Sequence, residues 1–349
     1  MEKPKLKTVQ EVVAAGEKLP ERYLYTPTGD GEGDQPFNGL LPEMKISIID
    51  LNLLFSSSDD GREELSKLHS AISTWGVVQV MNHGISEALL DKIHELTKQF
   101  FVLPTKEKQK YAREISSFQG FGNDMILSDD QVLDWVDRLY LITYPEDQRQ
   151  LKFWPENPSG FRETLHEYTM KQQLVVEKFF KALARSLELE DNCFLEMHGE
   201  NATLETRFNI YPPCPRPDKV LGLKPHSDGS AFTLILPDKN VEGLQFLKDG
   251  KWYKASILPH TILINVGDTM EVMSNGIYKS PVHRVVLNGK KERISVATFC
   301  NADEDKEIQP LNGLVSEARP RLYKAVKKSE KNFFDYYQQG RRPIEAAMI

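Results

Sequence analysis

The chain has 349 residues, of which 40% are hydrophobic and 27% charged, and its formal net charge is −7. This length and composition are typical of a globular protein with a core large enough to fold alone. The negative charge and the absence of a lysine- or arginine-rich cluster argue against nucleic acid or an anionic membrane as the main partner, so we expect a small-molecule partner.

Targeting and redox patterns favour a cytoplasmic protein. The N-terminal residues lack the apolar core of a signal peptide, and no apolar run approaches the roughly 18 residues that a membrane helix needs. The three cysteines, Cys193, Cys214 and Cys300, show no CxxC or CxxH spacing, which predicts neither a disulfide framework nor a structural zinc site. No coiled-coil or apolar repeat indicates self-association, so we expect a monomer.

The first two hundred residues predict a helix-rich region. Apolar residues recur there at helical spacing, and Ser86 is a good N-cap for one of the helices. The segment 26–39 is rich in glycine and acidic residues, as in flexible connectors. The elements predicted in chain order are a leader helix at 8–15, a strand at 45–51, a helix at 62–76, a strand at 77–84, and helices at 86–104 and 161–187.

From Phe208 onward the pattern changes to short β-type runs separated by turn dipeptides. Asp249-Gly250 and Asn288-Gly289 each lie between two such runs and predict β-hairpins. Short strands at steady spacing favour a double-sheet barrel or jelly roll with the helices packed outside. A doubly wound parallel sheet is the weaker alternative, because strands and helices do not alternate regularly. We therefore expect a mixed α+β fold.

His226 and Asp228 lie one residue apart in the segment PHSDGS, next to a predicted strand. Side chains two residues apart on a strand point to the same face, so both could meet one point in space. His283, which begins another β-type run, supplies a third ligand. Two histidines and one carboxylate form the facial triad of non-haem Fe(II) sites, which leaves coordination positions open for O₂ and a co-substrate. Taken singly, each residue also has an ordinary explanation, since HxD is common.

Arg293 and Ser295 follow on the next predicted strand and face the same side. A guanidinium fork beside a hydroxyl is suited to bidentate binding of a carboxylate. A co-substrate with one carboxylate for Arg293 and an α-keto acid end for the metal would be 2-oxoglutarate. Asn209 and Tyr211 share one face of the strand in RFNIYPPCPRPD and add hydrogen-bond donors.

Several segments together resemble the plant 2-oxoglutarate- and Fe(II)-dependent dioxygenases, a family that includes oxygenases acting on flavonoids, alkaloids, hormones and triketone herbicides. The resemblance implies a double-stranded β-helix, which is a distorted jelly roll, with flanking N-terminal helices. One departure is Val77-Val78, where many relatives have two phenylalanines. The segments run in family order from about residue 46 to residue 299 and are WGVVQVMNHG, NIYPPCPRPD, PHSDGS, LQFLKDGKWYKA, INVGDTMEVMSNGIYKSPVHRVV and RISVATF.

The resemblance also implies a reaction and a set of roles. The reaction is oxidative decarboxylation of 2-oxoglutarate to succinate and CO₂, with Fe(II) as cofactor and ascorbate as reductant, and with hydroxylation, demethylation or desaturation of a small, largely apolar metabolite or xenobiotic. The implied roles are iron binding and catalysis by His226, Asp228 and His283, binding of the distal carboxylate of 2-oxoglutarate by Arg293 and Ser295, and support of that co-substrate by Tyr211 and Asn209.

The resemblance further implies a division into regions and a set of substrate contacts. The regions are a helix-rich part at 1–200, a catalytic core at 201–305 and a C-terminal helical segment at 306–349. Phe299 is the leading candidate to stack on a substrate, because it shares the strand face of Arg293 and Ser295. Weaker candidates, which apolar burial alone would also explain, are Phe208, Phe118, Phe121 and Met125.

Two further predictions remain open from the sequence. Asp134 and Asp137 lie in LDWVDRLYL, a segment that resembles one near the active-site entrance of the family, and we expect them to be solvated charges. The alternatives to the implied function are a catalytically silent small-molecule binding protein on the same fold and an iron oxidase that does not use 2-oxoglutarate.

Overall fold

The computed structural model describes residues 7–25, 39–114, 117–124, 126, 128, 131–327 and 336–349. The connector predicted at 26–39 lies outside the described residues except for its last residue, and Met125 lies outside them as well. None of the helices in the described ranges is long and apolar enough to cross a membrane.

Three of the described helices begin at a residue whose side chain caps the first turn. Thr8 and Glu11 make a reciprocal capping box on the helix Val9–Ala14, Ser58 caps Asp59–Thr74, and Ser86 caps Glu87–Val102 as predicted. The described α-helices of more than three residues are α1 Val9–Ala14, α2 Asp59–Thr74, α3 Glu87–Val102, α4 Thr105–Lys108, α5 Phe161–Arg185, α6 Cys193–His198 and α7 Asp268–Met273. Short 3₁₀ turns lie at Glu21–Tyr23, Leu53–Phe55, Gln109–Tyr111, Glu146–Gln148, Leu151–Phe153, Asn312–Leu314 and Pro343–Ala347.

The strands are short, as the sequence predicts, and concentrate in the second half of the chain. The first half contributes β1 Glu43–Met44, β2 Ile48–Asp50, β3 Val77–Met81, β4 Gly120–Gly122 and β5 Asp137–Tyr144. The second half contributes β6 Thr203–Tyr211, β7 Leu221–His226, β8 Phe232–Leu236, β9 Leu244–Lys248, β10 Lys251–Ala255, β11 Ile262–Val266, β12 His283–Val286, β13 Arg293–Asn301, β14 Glu307–Ile308 and β15 Val326–Lys327.

Two sheets pack face to face and confirm the double-stranded β-helix. The larger sheet has the strand order β2-β3-β11-β8-β13-β6-β5-β4, and the smaller has the order β1-β10-β9-β12-β7. Leu263 and Ile235 of the larger sheet share a buried cluster with Phe246 and Val285 of the smaller one. The other face of the larger sheet packs against α2, α3 and α5. These three helices therefore lie outside the jelly roll, on one side of it.

Strand β13 shows how this layering positions functional side chains. Ile294 and Val296 belong to the cluster beneath the helices. Arg293, Ser295 and Phe299, which have the opposite parity, line the space between the two sheets. Because both faces of the strand are buried, its register on β6 and β8 fixes which residues face the interior.

One of the two predicted hairpins is confirmed and the other is wrong. Strands β9 and β10 pair around Asp249-Gly250, with Lys248 opposite Lys251 and positive φ angles of 49° and 74° at the turn. The strands flanking Asn288-Gly289 do not pair: β12 lies in the smaller sheet and β13 in the larger. The Asn288 side chain accepts hydrogen bonds from the backbone N–H groups of Lys290 and Lys291 and turns the chain from one sheet into the other.

The described part of the C-terminal segment at 306–349 contains the two-stranded ribbon of β14 and β15, the 3₁₀ turns Asn312–Leu314 and Pro343–Ala347, and helical residues at 336–338. The larger sheet also takes β2 to β5 from the region 1–200, so its strands come from both sides of the predicted boundary at 200 and 201. The division of the chain into three functional regions stays a prediction.

Candidate active site

His226, Asp228 and His283 converge at one end of the jelly roll. His226 ends β7, His283 begins β12, and the two residues are directly opposite each other in the antiparallel pairing of these strands. The Nε2 atoms of both histidines lie 3.7 Å from Oδ1 of Asp228. The three ligand atoms all lie within 4.8 Å of one another. The structure thus brings together the three residues that the sequence singled out.

Hydrogen bonds orient each of these side chains toward the common point. Nδ1 of His226 donates to the carbonyl of Lys224 at 2.7 Å, and Nδ1 of His283 donates to the carbonyl of Pro281 at 3.2 Å. Each Nε2 therefore carries a lone pair in the neutral ring, as a metal ligand requires. Thr233 donates to Oδ2 of Asp228 at 2.6 Å, which leaves Oδ1 facing both histidines.

The electrostatics of this cluster suit a divalent metal. Burial, together with the neighbouring imidazole of His283, lowers the pKa of His226 to about 3, so the ring is neutral at physiological pH. Two imidazoles at the ends of the paired strands β7 and β12, with one carboxylate in the loop just after β7, are the donor set of a non-haem Fe(II) site. The residues present therefore fit the metal.

Arg293 and Ser295 line the same space, further along β13. Arg293 is buried, with 4% of its surface exposed, and its Nη1 lies 3.4 Å from Oγ of Ser295. Its Nε atom has no hydrogen-bond partner among the described residues. A Cβ atom at Gly243 would lie 2.9 Å from Cδ of Arg293, so the arginine needs a glycine there. A buried guanidinium with unused donors fits a bound carboxylate.

Asn209 and Tyr211 lie across from Ser295 and Arg293 on the paired strand β6. Nδ2 of Asn209 is 3.4 Å from Oγ of Ser295, and the guanidinium of Arg293 stands 5.2 Å from the ring centroid of Tyr211. Burial raises the pKa of Tyr211, although Arg293 opposes this shift, so the phenol keeps its proton and can donate. The four residues assigned to the co-substrate thus form one group.

A cavity of about 300 Å³ joins this group to the metal-ligand cluster. Phe299 lines it and stacks on Tyr140, with ring centroids 6.1 Å apart and an angle of 17° between the planes. Phe118 lines the cavity as well. Both phenylalanines therefore lie on the wall of the cavity that also contains the metal-ligand cluster.

Two other predicted substrate residues are placed elsewhere. Phe208 points to the opposite face of its strand from Asn209. Its ring packs beneath the helices, with its centroid 5.4 Å from that of Phe161. Phe121 packs against Phe100 in the same core cluster, with the two ring centroids 5.7 Å apart. Neither residue lines the cavity, and Met125 lies outside the described residues.

Asp134 and Asp137 are not solvated, contrary to the prediction. Asp134 is 8% exposed and accepts hydrogen bonds from Lys224 and from the hydroxyl of Tyr337. Asp137 is fully buried and accepts from the backbone N–H groups of Val9 and Gln10 at the start of α1. Both carboxylates are structural, because backbone and side-chain donors bind them inside the fold.

A charged cluster on the cavity wall was missed from the sequence. Asp124 accepts from Nη2 of Arg207 at 2.8 Å and from Nε of Arg138 at 3.0 Å. Burial opposes ionisation, but the two arginines hold the pKa of Asp124 well below its usual range. Arg207 also donates to Asn209 at 2.6 Å. Its strand parity, shared with Asn209 and Tyr211, was the pattern that could have revealed it.

Comparisons with known proteins agree with this arrangement. The family model for the 2OG-Fe(II) oxygenase superfamily matches residues 200–302, and the model described as the N-terminal part of the non-haem dioxygenases in morphine synthesis matches residues 46–157. The chain is 40% identical to codeine O-demethylase of Papaver somniferum, over 88% of this chain and 85% of the relative. It is 36% identical to flavonol synthase/flavanone 3-hydroxylase of Eustoma exaltatum subsp. russellianum, over 91% and 94% of the two chains.

The fold agrees with a solved structure of a related protein. A crystal structure of JOX2 in complex with 2OG, Fe and JA superposes with a TM-score of 0.85, at 32% identity over 99% of this chain and 98% of that one. The chain belongs to the 2-oxoglutarate- and Fe(II)-dependent oxygenase superfamily, and it is a dioxygenase with Fe(II) as cofactor and 2-oxoglutarate as co-substrate.

Proposed function

We propose that this dioxygenase oxidises a carbon of a small, largely apolar molecule, by hydroxylation, demethylation or desaturation. One observation carries the proposal: a cavity connects three converging metal-ligand side chains with the buried guanidinium of Arg293, whose Nε has no partner in the described part of the chain. This is the geometry that brings a keto acid, a metal and a substrate carbon together.

In this proposal His226, Asp228 and His283 hold the iron and are the catalytic residues. The Fe(II), when bound, supplies the one-electron and O₂ chemistry that no amino-acid side chain can perform. The protein aims the Nε2 atoms of both imidazoles at the common point, because the carbonyls of Lys224 and Pro281 accept from Nδ1 and so select the tautomer with a free Nε2 lone pair. Thr233 orients Asp228 by its hydrogen bond to Oδ2.

The proposed 2-oxoglutarate site consists of Arg293, Ser295, Tyr211 and Asn209. Arg293 and Ser295 bind the carboxylate far from the metal, and the protonated phenol of Tyr211 and the amide of Asn209 add donors beside it. Burial strengthens these contacts, because charges interact more strongly where water is excluded. Ascorbate is part of the proposal as the reductant that keeps the iron ferrous.

The substrate is proposed to bind between the metal-ligand cluster and the stacked pair of Phe299 and Tyr140. Phe118 adds a further apolar surface. Arg207 belongs to the charged cluster at this wall, and we propose that it donates to an oxygen atom of the substrate. The relatives are named for a demethylation and for a hydroxylation, so the names support carbon oxidation without selecting one outcome.

Neither alternative from the sequence is favoured by a specific observation. A silent binding protein would not need all three ligand side chains aligned by hydrogen bonds. An oxidase that does not use 2-oxoglutarate would not need the buried Nε donor of Arg293, which finds no partner among the residues that the structure describes. We also propose that the protein acts as a cytoplasmic monomer, as the sequence patterns predict.

Production of succinate tests the proposal. The Fe(II)-loaded chain is incubated in air with 2-oxoglutarate and ascorbate, with and without a panel of flavonoid, alkaloid, terpenoid and triketone compounds. We expect succinate formation to rise with at least one compound, in step with an oxidised product. Succinate that never rises with any panel member, from chain shown to hold iron, would reject the proposed substrate class.

A further inference from the structure

The C-terminal residues 336–349, here called the closing segment, form one wall of the cavity. Tyr337, Pro343, Ile344 and Ala347 line it, opposite the residues of the two sheets. The ring of Tyr337 stands edge-on to His226, with centroids 5.4 Å apart. A segment that lines the cavity and contacts a metal-ligand side chain can affect both the shape of the cavity and the orientation of the ligand.

The closing segment reaches His226 through one chain of hydrogen bonds. The hydroxyl of Tyr337 donates to Oδ2 of Asp134 at 2.6 Å. Oδ1 of Asp134 accepts from the backbone N–H of Lys224 at 2.9 Å, and Nζ of Lys224 is 3.2 Å from Oδ2. The carbonyl of Lys224 in turn accepts from Nδ1 of His226. The position of this imidazole therefore depends on where Tyr337 holds Asp134.

A second chain of hydrogen bonds reaches Asp228. Arg342 donates to Oδ1 of Asp268 at 3.0 Å, and the N–H of Ile344 donates to Oδ2 of the same carboxylate at 3.1 Å. Asp268 also accepts from the hydroxyl of Ser227 at 3.1 Å. The backbone N–H of Asp268 donates to the carbonyl of Asp228 at 2.7 Å. Arg342 is thus tied to the short loop between the first two metal ligands.

The same arginine also reaches the segment that leads into the strand carrying His283. Arg342 donates to Oε2 of Glu271 at 2.9 Å, and the backbone N–H of Ser280 donates to that oxygen at 2.8 Å. The side chains of Asp268 and Glu271 are each only 7% exposed, so without Arg342 two buried carboxylates would lose their shared cation. All three ligand positions therefore have a connection to the closing segment.

We propose that Tyr337 and Arg342 are positioning residues through which the closing segment fixes the orientation of the three metal ligands. This inference rests on the proposed function of His226, Asp228 and His283. Partners that orient metal ligands typically change metal affinity by 10- to 100-fold when they are removed. The wall of the substrate cavity and the metal site are then parts of one unit, and tight metal binding requires the docked closing segment.

Metal affinity without turnover tests this inference. The full chain is titrated anaerobically with Mn(II), which binds oxygen and nitrogen ligands without O₂ chemistry. We expect Arg342→Met to raise the Kd for Mn(II) about tenfold, and Tyr337→Phe, which removes a single oxygen, to raise it less. Arg342→Lys restores the charge without the planar guanidinium fork and should recover part of the affinity.

Arg341→Met is the matched control. Arg341 is the neighbouring residue, its side chain is 51% exposed, and it pairs with Glu345 and none of the residues described above. This variant should bind Mn(II) as the unchanged chain does. If Arg342→Met does not fold, Tyr337→Phe carries the test, because it leaves the packing of the ring in place.

The outcomes separate this inference from the proposed function. Variants at Arg342 and Tyr337 that melt at a lower temperature but keep the Kd for Mn(II) would overturn it, since the closing segment would then only stabilise the fold. An unchanged chain that does not bind Mn(II) or Fe(II) would overturn the proposed function, and this inference with it. Weaker binding in both variants, with Arg341→Met unaffected, supports the inference.

Discussion

At the scale of single residues, the co-substrate site depends on Arg293. Its position is set by strand parity, by the glycine at 243 that leaves room for its side chain, and by the pairing of Ser295 with Asn209 on the neighbouring strand. Parity alone predicted Arg293, Ser295 and Phe299 correctly as neighbours facing the interior. It could also have identified Arg207, but nothing in the sequence indicated that Asp124 lies between Arg207 and Arg138, because those residues meet only through tertiary packing.

We predict that Arg293→Lys weakens the binding of 2-oxoglutarate. Lysine keeps the charge but loses the planar fork, and the loss of one charge-assisted hydrogen bond should raise the KM for 2-oxoglutarate about tenfold. The KM for 2-oxoglutarate in steady-state assays measures this. Arg162→Lys is the control, because Arg162 donates to the carbonyls of Trp154 and Leu151, and neither residue lines the cavity. An unchanged KM in Arg293→Lys would mean that this arginine has another role.

At the scale of elements, the helices follow the sequence closely and the strand pairing does not. The apolar stripes of α2, α3 and α5 set these helices within a few residues of their predicted bounds, because each stripe must pack on the sheet. A turn dipeptide, in contrast, indicates only that the chain turns. The two strands beside Asn288-Gly289 belong to different sheets, and the turn pattern does not distinguish this arrangement from a hairpin.

The docking of α1 gives a prediction about pH. Burial raises the pKa of Asp137 to about 6, so in the folded chain this carboxyl holds its proton more strongly than in the unfolded chain. A raised carboxyl pKa means that stability falls as pH rises from the unfolded pKa to the folded one. Relative to Asp137→Asn, the unchanged chain should therefore lose about 1.4 kcal/mol of unfolding free energy between about pH 5 and about pH 7.5.

Denaturant unfolding of both proteins across that pH range measures this difference. The control is Asp191→Asn. The exposed pairing with Arg185 lowers the pKa of Asp191, so the unchanged chain should not lose unfolding free energy relative to Asp191→Asn as the pH rises. A free-energy difference between the unchanged chain and Asp137→Asn that is constant with pH would contradict the raised pKa.

At the scale of the whole molecule, local features favoured the jelly roll, and the HxD spacing placed His226 and Asp228 together. His283 joins them only through the pairing of β7 with β12, and its role as the third ligand was implied by the donor pattern and the family resemblance. The role of the C-terminal residues could not be predicted in this way. Tyr337 and Arg342 act through Asp134 and Asp268, more than 70 residues away in sequence, and only the folded chain brings these pairs together.

The most direct test of the account is Fe(II) binding by the unchanged chain and by ligand variants under anaerobic conditions. We predict one iron per chain for the unchanged protein and a loss of affinity beyond about 100-fold in Asp228→Ala and in His283→Ala, with no effect of His260→Ala, whose imidazole pairs with Asp91 on the surface. Undiminished iron binding by Asp228→Ala and His283→Ala would contradict the assignment of this cluster as the metal site.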